Sequence, residues 1–197
     1  FSDKPGCTHL IKHKIVLSSN GAPFKLKTYK IPERLREQVN EEIQNMLDQR
    51  IIQYSQSSYV NPLVCVKKKG TDAKGRPNIR LCLDLREINK ITEPDNFPGS
   101  DMRRIIELCG AAKFKSSIDL TSGFLQVNLE NESKKYCAFR TDLGFFEYCK
   151  MPFGAKNSSK TFQRLMNFVL RGAESYCLSH IDDIIIFSET WESHLAH

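Results

Sequence analysis

The spacing of apolar residues predicts three helices in the middle of the chain. The first lies within residues 32–50, where apolar residues recur at helical spacing and form one stripe. Its members are Leu35, Val39, Ile43, Met46 and Leu47. The second follows a break at 96–100 and is expected to end at Gly110, with Met102, Ile105, Ile106 and Leu108 on its inner face. The third begins at Asn157 or Ser158 and buries Phe162, Leu165, Met166, Val169 and Leu170.

Apolar runs and alternations predict strands between these helices. The predicted strands cover residues 63–66, 79–85, 114–119, 124–129, 136–140 and 145–150. Two more flank the pair Asp182-Asp183, which then falls at a tight hairpin turn, and Thr190 caps a final helix. Because strands and helices are mixed without regular alternation, the pattern predicts an α+β fold in which helices cover one face of an antiparallel sheet.

The first 30 residues are polar and show no periodicity, and we expect an extended N-terminal linker at 1–30. His9 and His13 are four positions apart, a spacing that on a helix would suit a metal ion. No neighbouring ligand supports such a site, so we interpret both as solvated or packing histidines.

The amino-acid composition indicates the kind of partner that the protein binds and the cellular compartment in which it lies. The chain of 197 residues carries a net charge of +6, which favours an anionic partner but is not decisive by itself. Its seven cysteines show no C-x-x-C spacing, and those within predicted strands are Cys65, Cys82, Cys137, Cys149 and Cys177. We interpret these five as buried thiols in a reducing compartment rather than as disulfides or zinc ligands. The sequence shows no signal peptide or transmembrane run, which indicates an intracellular protein with no membrane partner.

A basic segment joins the first two strands. Residues 67–80 contain one acidic side chain, Asp72, and six basic ones. The basic residues are Lys67, Lys68, Lys69, Lys74, Arg76 and Arg80. Gly70 and Gly75 have the glycine spacing of a P-loop, but Arg76-Pro77 replaces the required Lys-Ser/Thr, so that motif is excluded. A solvated charge run is the plain alternative, whereas we favour a hairpin tip that contacts the phosphates of a triphosphate or a nucleic-acid backbone.

Three carboxylates lie at the ends of predicted apolar strands. Asp182 and Asp183 taken alone fit a common Asp-rich turn, but Asp119 ends another apolar strand earlier in the chain. Neighbouring strands are about 4.8 Å apart, so carboxylates at strand ends can converge on one metal cluster. Two divalent ions about 4 Å apart can activate a hydroxyl and stabilise a leaving oxygen in phosphoryl transfer. The residues therefore favour a metal-dependent enzyme acting on phosphates, and they leave polymerase, nuclease and cyclase open.

Seven sequence blocks occur together in an order that is typical of one family. They are SYVNPLVCVKKK (58–69), RLCLDLREINK (80–90), SIDLTSGF (117–124), AFRT (138–141), MPFGAKN (151–157), TFQRLM (161–166) and IDDI (181–184). From about Ile31 onward, the chain resembles the reverse transcriptase of gypsy-like long-terminal-repeat retrotransposons, which is part of a Pol polyprotein. Any one block would be a weak signal, but chance does not explain all seven in order.

The resemblance implies a right-hand polymerase of which this chain supplies the fingers and most of the palm, with a ferredoxin-like antiparallel palm sheet. The implied subdomains are a linker at 1–30, fingers at 31–93 and 127–153, and palm at 94–126 and 154–197, the last of them truncated. The implied activity is RNA-directed DNA polymerisation, in which a primer 3′-hydroxyl attacks the α-phosphate of a deoxynucleoside triphosphate and releases pyrophosphate. An RNA or DNA template with its primer and the remaining Pol segments would be the partners, in the cytoplasm or in virus-like particles.

The resemblance also implies roles for individual residues. Asp119, Asp182 and Asp183 would be the catalytic carboxylates, and they would bind two Mg²⁺ ions, for which Mn²⁺ could substitute. The nucleotide-binding positions would be Lys68, Arg80, Phe124, Phe153 and Gly154, with the Phe124 ring crowding the sugar 2′ position. The primer–template contacts would be His180, Lys67 and Lys69.

Three features depart from the family's pattern. His180 stands where the family usually has Tyr. Pro98-Gly99-Ser100 replaces the usual Pro-Leu-Pro, for which we expect a looser link and little catalytic effect. The thumb, connection and ribonuclease H segments are absent from this sequence, which predicts a weak grip on primer and template. The alternatives are a degenerate or domesticated relic that binds nucleic acid without polymerising, and a folded fragment with no activity of its own.

Overall fold

The structure, a computed structural model, describes residues 5–18, 29–72 and 74–197. Its strands are β1 (Thr8–His13), β2 (Ile52–Tyr54), β3 (Leu63–Thr71), β4 (Pro77–Leu83), β5 (Phe114–Asp119), β6 (Val127–Leu129), β7 (Ala138–Thr141), β8 (Gly144–Tyr148), β9 (Cys177–His180) and β10 (Asp183–Ser188). Its α-helices are α1 (Arg36–Asp48), α2 (Arg86–Ile91), α3 (Met102–Ala111), α4 (Asn131–Lys134), α5 (Ser158–Val169) and α6 (Trp191–Ala196). Short 3-10 helices lie at Glu33–Leu35, Gly123–Gln126 and Lys135–Cys137. The helices predicted from apolar spacing are present, and α2 and α4 are additional.

The sheet that carries the candidate carboxylates has three antiparallel strands in the order β5-β10-β9. Helix α5 packs against β9, and Phe162, Leu165 and Met166 of its predicted stripe are buried. Val169 was predicted to be buried as well, but its side chain is 53% exposed because it lies in the last turn of the helix. The predicted α+β arrangement of an antiparallel sheet and packed helices is confirmed.

Helix α3 differs from its prediction in two respects. Ile105 is buried, but Met102 and Ile106, which were predicted for the same inner face, are 42% and 64% exposed. Gly110 lies inside the helix and does not end it. Ile105 is therefore the one residue of this helix that is fully buried, while Leu108 of the predicted inner face is half-buried.

A second sheet and a separate hairpin form most of the remaining β structure. The second sheet has the order β2-β8-β7, and β3 pairs with β4 in a two-stranded hairpin, as the alternating pattern predicted. Phe139 and Phe146 face each other across β7 and β8 and are fully buried. They belong to the core cluster that also contains Val39 and Ile43 of α1.

Part of the predicted N-terminal linker belongs to the folded structure. Strand β1 pairs in parallel with β6, and His13 at its end is 1% exposed. The His13 ring lies against α5, where its Nδ1 is 2.8 Å from Oγ1 of Thr161. His13 is therefore a packing histidine, whereas His9 is exposed. Residues 1–4 and 19–28 of the predicted linker lie outside the described residues.

Two local predictions need correction. The predicted strand at 124–129 begins as the 3-10 helix Gly123–Gln126, and only Val127–Leu129 is extended. Asn157 does not cap α5 through its side chain, because its amide bonds to the backbone of Glu93 and Asp95 instead. The predicted cap at Thr190 is confirmed, since its Oγ1 accepts a hydrogen bond from the N–H of Ser193.

All seven cysteines are free thiols, as the absence of paired spacing predicted. Cys137 and Cys177 are buried, and Cys65, Cys82 and Cys149 are half-buried. Burial raises the pKa of the Cys177 and Cys65 thiols, which keeps them protonated near neutral pH. The prediction of buried thiols is therefore confirmed for Cys137 and Cys177, whereas the other three lie at the edge of the interior.

Candidate active site

The geometry of β5 and β10 brings two of the three candidate carboxylates face to face. Asp119 is the last residue of β5 and Asp183 the first of β10, and the two are register partners. Directly opposed side chains point to the same face of an antiparallel pair, with Cβ atoms about 5 Å apart. Asp119 and Asp183 are exposed, and within the described residues neither has an ion pair or a side-chain hydrogen bond. Two like charges in this position repel each other unless a cation lies between them.

The third carboxylate, Asp182, lies in the turn that joins β9 to β10. His180 and Asp183 are register partners, so the turn has two central residues, Ile181 and Asp182. Ile181 has φ 55°, a left-handed conformation that is unfavourable for a β-branched side chain. Such a residue costs on the order of 1–3 kcal/mol and persists only when its surroundings hold it. The prediction that the Asp pair lies at a tight turn is confirmed for Asp182, whereas Asp183 already belongs to β10.

The predicted three-carboxylate metal site is only partly assembled. Over residues 5–18, 29–72 and 74–197, no three His, Cys, Asp or Glu side chains are close enough together to enclose a metal ion. In phosphoryl-transfer sites, however, Mg²⁺ is usually held by one or two carboxylates, with water and substrate phosphates as its other ligands. The facing pair Asp119 and Asp183, with Asp182 next in the chain, fits an ion held by one or two carboxylates.

Three of the predicted nucleotide-binding residues form one continuous row of contacts. The guanidinium of Arg80 lies 5.6 Å from the centre of the Phe153 ring. The Phe153 ring is 5.5 Å from that of Phe124, which in turn is 5.3 Å from that of Phe162 in α5. Arg80 on β4 is thus linked to the helix behind the carboxylate sheet through aromatic contacts. These residues are far apart in sequence, so the row was not predictable from spacing.

The loop that contains Gly154 is fixed by a residue that the sequence patterns did not single out. Asn89 in α2 donates its Nδ2–H to the Gly154 carbonyl at 2.8 Å, and its Oδ1 accepts from the Lys156 N–H at 2.9 Å. Gly154 has φ +86°, a conformation that favours glycine. Asn89 is half-buried and lies within the block RLCLDLREINK, and its place in that block was the available signal.

Some basic side chains of the hairpin tip form ion pairs within the molecule. Lys74 and Arg76 both pair with Glu41 of α1, and Arg76 also binds Asp72. These two basic residues of the predicted tip therefore form ion pairs within the molecule. Lys67, Lys68 and Lys69 are exposed and form no ion pair with any described residue. Together with Arg80, they remain the candidates for binding phosphate.

The Glu41 carboxylate is strongly affected by these two cations. Hydrogen bonds from Arg76 and Lys74 lower the pKa of Glu41 to about 2. The carboxylate is therefore charged at any physiological pH, and the contact between the hairpin and α1 persists.

His180 lies beside the carboxylates and has a partner from a distant segment. It is the last residue of β9 and faces Asp183 in the register of β9 and β10. Its Nδ1 is 2.6 Å from Oγ of Ser100, in the segment before α3. The two positions that depart from the family's pattern are thus in direct contact.

Comparison with known proteins decides the family. Residues 66–197 match the family described as reverse transcriptase (RNA-dependent DNA polymerase). The chain belongs to this reverse transcriptase family. It is 39% identical over 189 residues to the retrovirus-related Pol polyprotein from transposon 297 of Drosophila melanogaster, covering 95% of this chain and 18% of the relative. It is 41% identical over 160 residues to the Pol polyprotein from transposon gypsy of the same species, covering 81% and 16%.

The fold of this reverse transcriptase chain has counterparts among solved structures. It superposes with a TM-score of 0.84 on the foamy viral protease-reverse transcriptase in complex with an RNA/DNA hybrid, at 23% identity over 100% of this chain and 25% of that one. A second structure of the viral protein, in complex with double-stranded DNA, gives a TM-score of 0.82 at 24% identity. The chain therefore has the fold of part of a reverse transcriptase, and it spans less than a fifth of the length of the two Drosophila polyproteins.

The helices also bear on whether this reverse transcriptase chain could cross a membrane. Within the described ranges, no helix combines the length and the apolar character needed to span a bilayer.

Proposed function

We propose that this chain is the fingers and palm of an RNA-directed DNA polymerase that extends a primer on an RNA or DNA template. The observation that carries the proposal is the register pairing of Asp119 with Asp183, beside Asp182, in a chain of the reverse transcriptase family. One structural neighbour is in complex with an RNA/DNA hybrid, which supports a primer–template duplex as the partner here. Within this proposal, the fingers comprise 31–93 and 127–153, and the palm comprises 94–126 and 154–197.

The carboxylates are proposed to hold divalent ions, of which Mg²⁺ is the first choice and Mn²⁺ a substitute. Asp119 and Asp183 would contribute one ligand each from opposite strands, and Asp182 a further one from the turn. When bound, the ions would favour ionisation of the primer 3′-hydroxyl and stabilise the charge on the departing pyrophosphate. The repulsion between the opposed carboxylates supports this proposal, because a bound cation relieves it.

The fingers residues are proposed to bind and orient the deoxynucleoside triphosphate. Lys68 and Arg80 would pair with its phosphates, since both are exposed and lie on the β3–β4 hairpin. The Phe153 ring would keep Arg80 in place by a cation–π contact. The next residue, Gly154, leaves open space, because a Cβ atom built on Gly154 would meet no other atom within 4 Å. Phe124 would crowd the sugar 2′ position and favour deoxynucleotides. Catalysis would then rest on positioning and charge stabilisation.

The remaining partners are also proposed from the family. Lys67, Lys69 and His180 would contact the primer–template, and the thumb and ribonuclease H segments of the parent Pol protein would complete the grip. The site of action would be intracellular, in the cytoplasm or in virus-like particles.

The decisive experiment is RNA-templated primer extension by the full-length protein that contains this chain, with Mg²⁺ or Mn²⁺ added. Asp183→Asn should reduce nucleotide incorporation by several orders of magnitude, because it removes one of the two opposed carboxylates. It should not lower the unfolding temperature, because it also removes the repulsion between them. Asp142→Asn, an exposed carboxylate in the turn between β7 and β8, is the matched control and should keep full activity. An Asp183→Asn protein that extends the primer at the native rate would refute the proposed site.

A second candidate function is nucleic-acid binding without polymerisation. It is favoured by His180, which lies beside the carboxylates and stands where the family usually has Tyr. The same experiment separates the two functions. A native protein that binds primer–template but incorporates no nucleotide with either metal would support the binding function.

A further inference from the structure

The segment before α3 is fastened to the body of the molecule at both ends. At its start, Asp95 accepts hydrogen bonds from Arg164 of α5 and from the Phe97 N–H. The Arg164 guanidinium also lies 4.4 Å from the centre of the Phe97 ring. At its end, the Asp101 carboxylate caps α3 by accepting from the N–H groups of its first turn. Ser100, between these anchors, is therefore held at a defined place and is not part of a loose link.

The His180 ring is held by this segment. Ser100 Oγ and His180 Nδ1 are 2.6 Å apart, and both residues are half-buried. Among the described residues, Ser100 is the hydrogen-bond partner of the His180 ring, and the contact joins positions 80 apart in the chain. The hydrogen bond thus fixes the end of β9 to the segment before α3.

The residue that follows His180 needs such support. Ile181 has φ 55°, and a β-branched residue stays in this region only where the neighbouring structure holds it. On the far side of the turn, the ladder between β10 and β5 fixes Asp183 opposite Asp119. On the near side, β9 is the edge strand of its sheet, so one of its flanks lacks a strand partner among the described residues. The Ser100 hydrogen bond supplies a further restraint on the end of this strand.

We propose that Ser100 is a positioning residue that, through His180, holds the β9–β10 turn, and with it Asp182, next to the pair of Asp119 and Asp183. The inference deepens the proposed polymerase function, on which its catalytic consequence rests. It also replaces the expectation that the change at Pro98-Gly99-Ser100 has little effect. The two departures from the family's pattern act together, because each provides one half of the same hydrogen bond.

The first test measures the turn itself and does not depend on activity. Hydrogen exchange of the backbone amides in 177–188 should be about three- to tenfold faster in Ser100→Ala, the range expected for losing one hydrogen bond. The amides of β3 and β4 are the internal control and should not change. Ser100→Thr retains the hydroxyl and should restore the native exchange rates. Unchanged exchange at 177–188 in Ser100→Ala would overturn the inference, whether or not the protein polymerises.

A double-mutant cycle shows whether Ser100 acts through His180. His180→Phe keeps an aromatic ring but removes the nitrogen that Ser100 contacts, so it should accelerate exchange of 177–188 to a similar extent. The double variant should be no faster than either single variant, because both remove the same interaction. Effects that multiply in the double variant would mean that the two residues act separately.

The catalytic consequence is read from the same variants of the full-length protein. Ser100→Ala should lower kcat for primer extension by about three- to tenfold and leave KM for the triphosphate unchanged, since the contacts of Arg80 and Phe153 are untouched. Ser100→Thr should recover kcat. Altered exchange with unaltered kcat would refute the catalytic link, whereas a native protein without polymerase activity would refute the proposed function and leave the exchange result to decide the inference.

Discussion

Buried His13 shows how one residue makes the stability of the fold depend on pH. Burial lowers the pKa of the His13 imidazole to about 4, against a small opposing effect of Asp95. The ring is neutral in the folded protein and bonds to the hydroxyl of Thr161. When the chain unfolds, the ring regains a pKa near its usual 6.5 and binds a proton more readily.

The free energy of unfolding is therefore predicted to fall as the pH is lowered from about 6.5 to about 4. In this range the unfolded chain binds more protons than the folded one, so stability rises with pH and is complete above 6.5. Over the whole range the loss is on the order of 3 kcal/mol. Urea unfolding at a series of pH values measures it. His13→Gln does not titrate there and should show a flatter pH dependence, and equal slopes for both proteins would contradict the assignment.

At the scale of elements, the β3–β4 hairpin projects from the core and is steadied by α1. Among the described strands, its two members pair only with each other, so its orientation depends on contacts outside the ladder. Glu41 provides such contacts by binding Lys74 and Arg76 near the hairpin tip. Because Lys68 and Arg80 lie on this hairpin, its position decides where the proposed triphosphate contacts are.

Replacing Glu41 by Gln is predicted to loosen the hairpin tip without unfolding the protein. Trypsin should cleave after Lys69 and Lys74 about two- to fivefold faster, because exposed ion pairs contribute modestly. Glu37→Gln, one turn earlier in α1 and without an ion pair in the described structure, is the matched control. If cleavage is equally fast in both variants, Glu41 does not hold the tip.

Structural features formed by residues close in sequence could be predicted from the sequence, whereas contacts between distant segments could not. The stripe of α1 and the hairpin around Asp182 are local patterns, and they were predicted from the sequence. The pairing of Asp119 with Asp183, the row from Arg80 to Phe162 and the contact of Ser100 with His180 join distant segments. No period of 2 or 3.6 residues encodes such contacts, so the sequence indicated candidate residues, whereas the register and the contact partners came from the structure.

For the whole molecule, a net charge of +6 predicts binding to nucleic acid that weakens steeply with salt. Replacing Lys67, Lys68 and Lys69 by Gln should reduce the slope of log affinity against log salt by up to about 3, since each phosphate contact adds roughly one unit. Fluorescence anisotropy of a labelled RNA/DNA hybrid at several KCl concentrations measures the slope. Lys74→Gln is the control, because its ammonium is already paired with Glu41, and it should change the slope little. Equal slopes in the native and triple variants would exclude these lysines as contacts.

The pairing of β1 with β6 has a consequence for how the chain is made. His13 is opposite Leu129, so β1 leaves the ribosome long before its partner exists. At about 5–20 residues per second, synthesis of the intervening chain takes roughly 6–23 s. During that time β1 has no strand partner, Ile11 and Ile15 have only part of the core to pack against, and an unpaired strand edge of this kind invites association with other chains. Strand β1 is thus synthesised well before β6 and α5, the elements with which it pairs and packs.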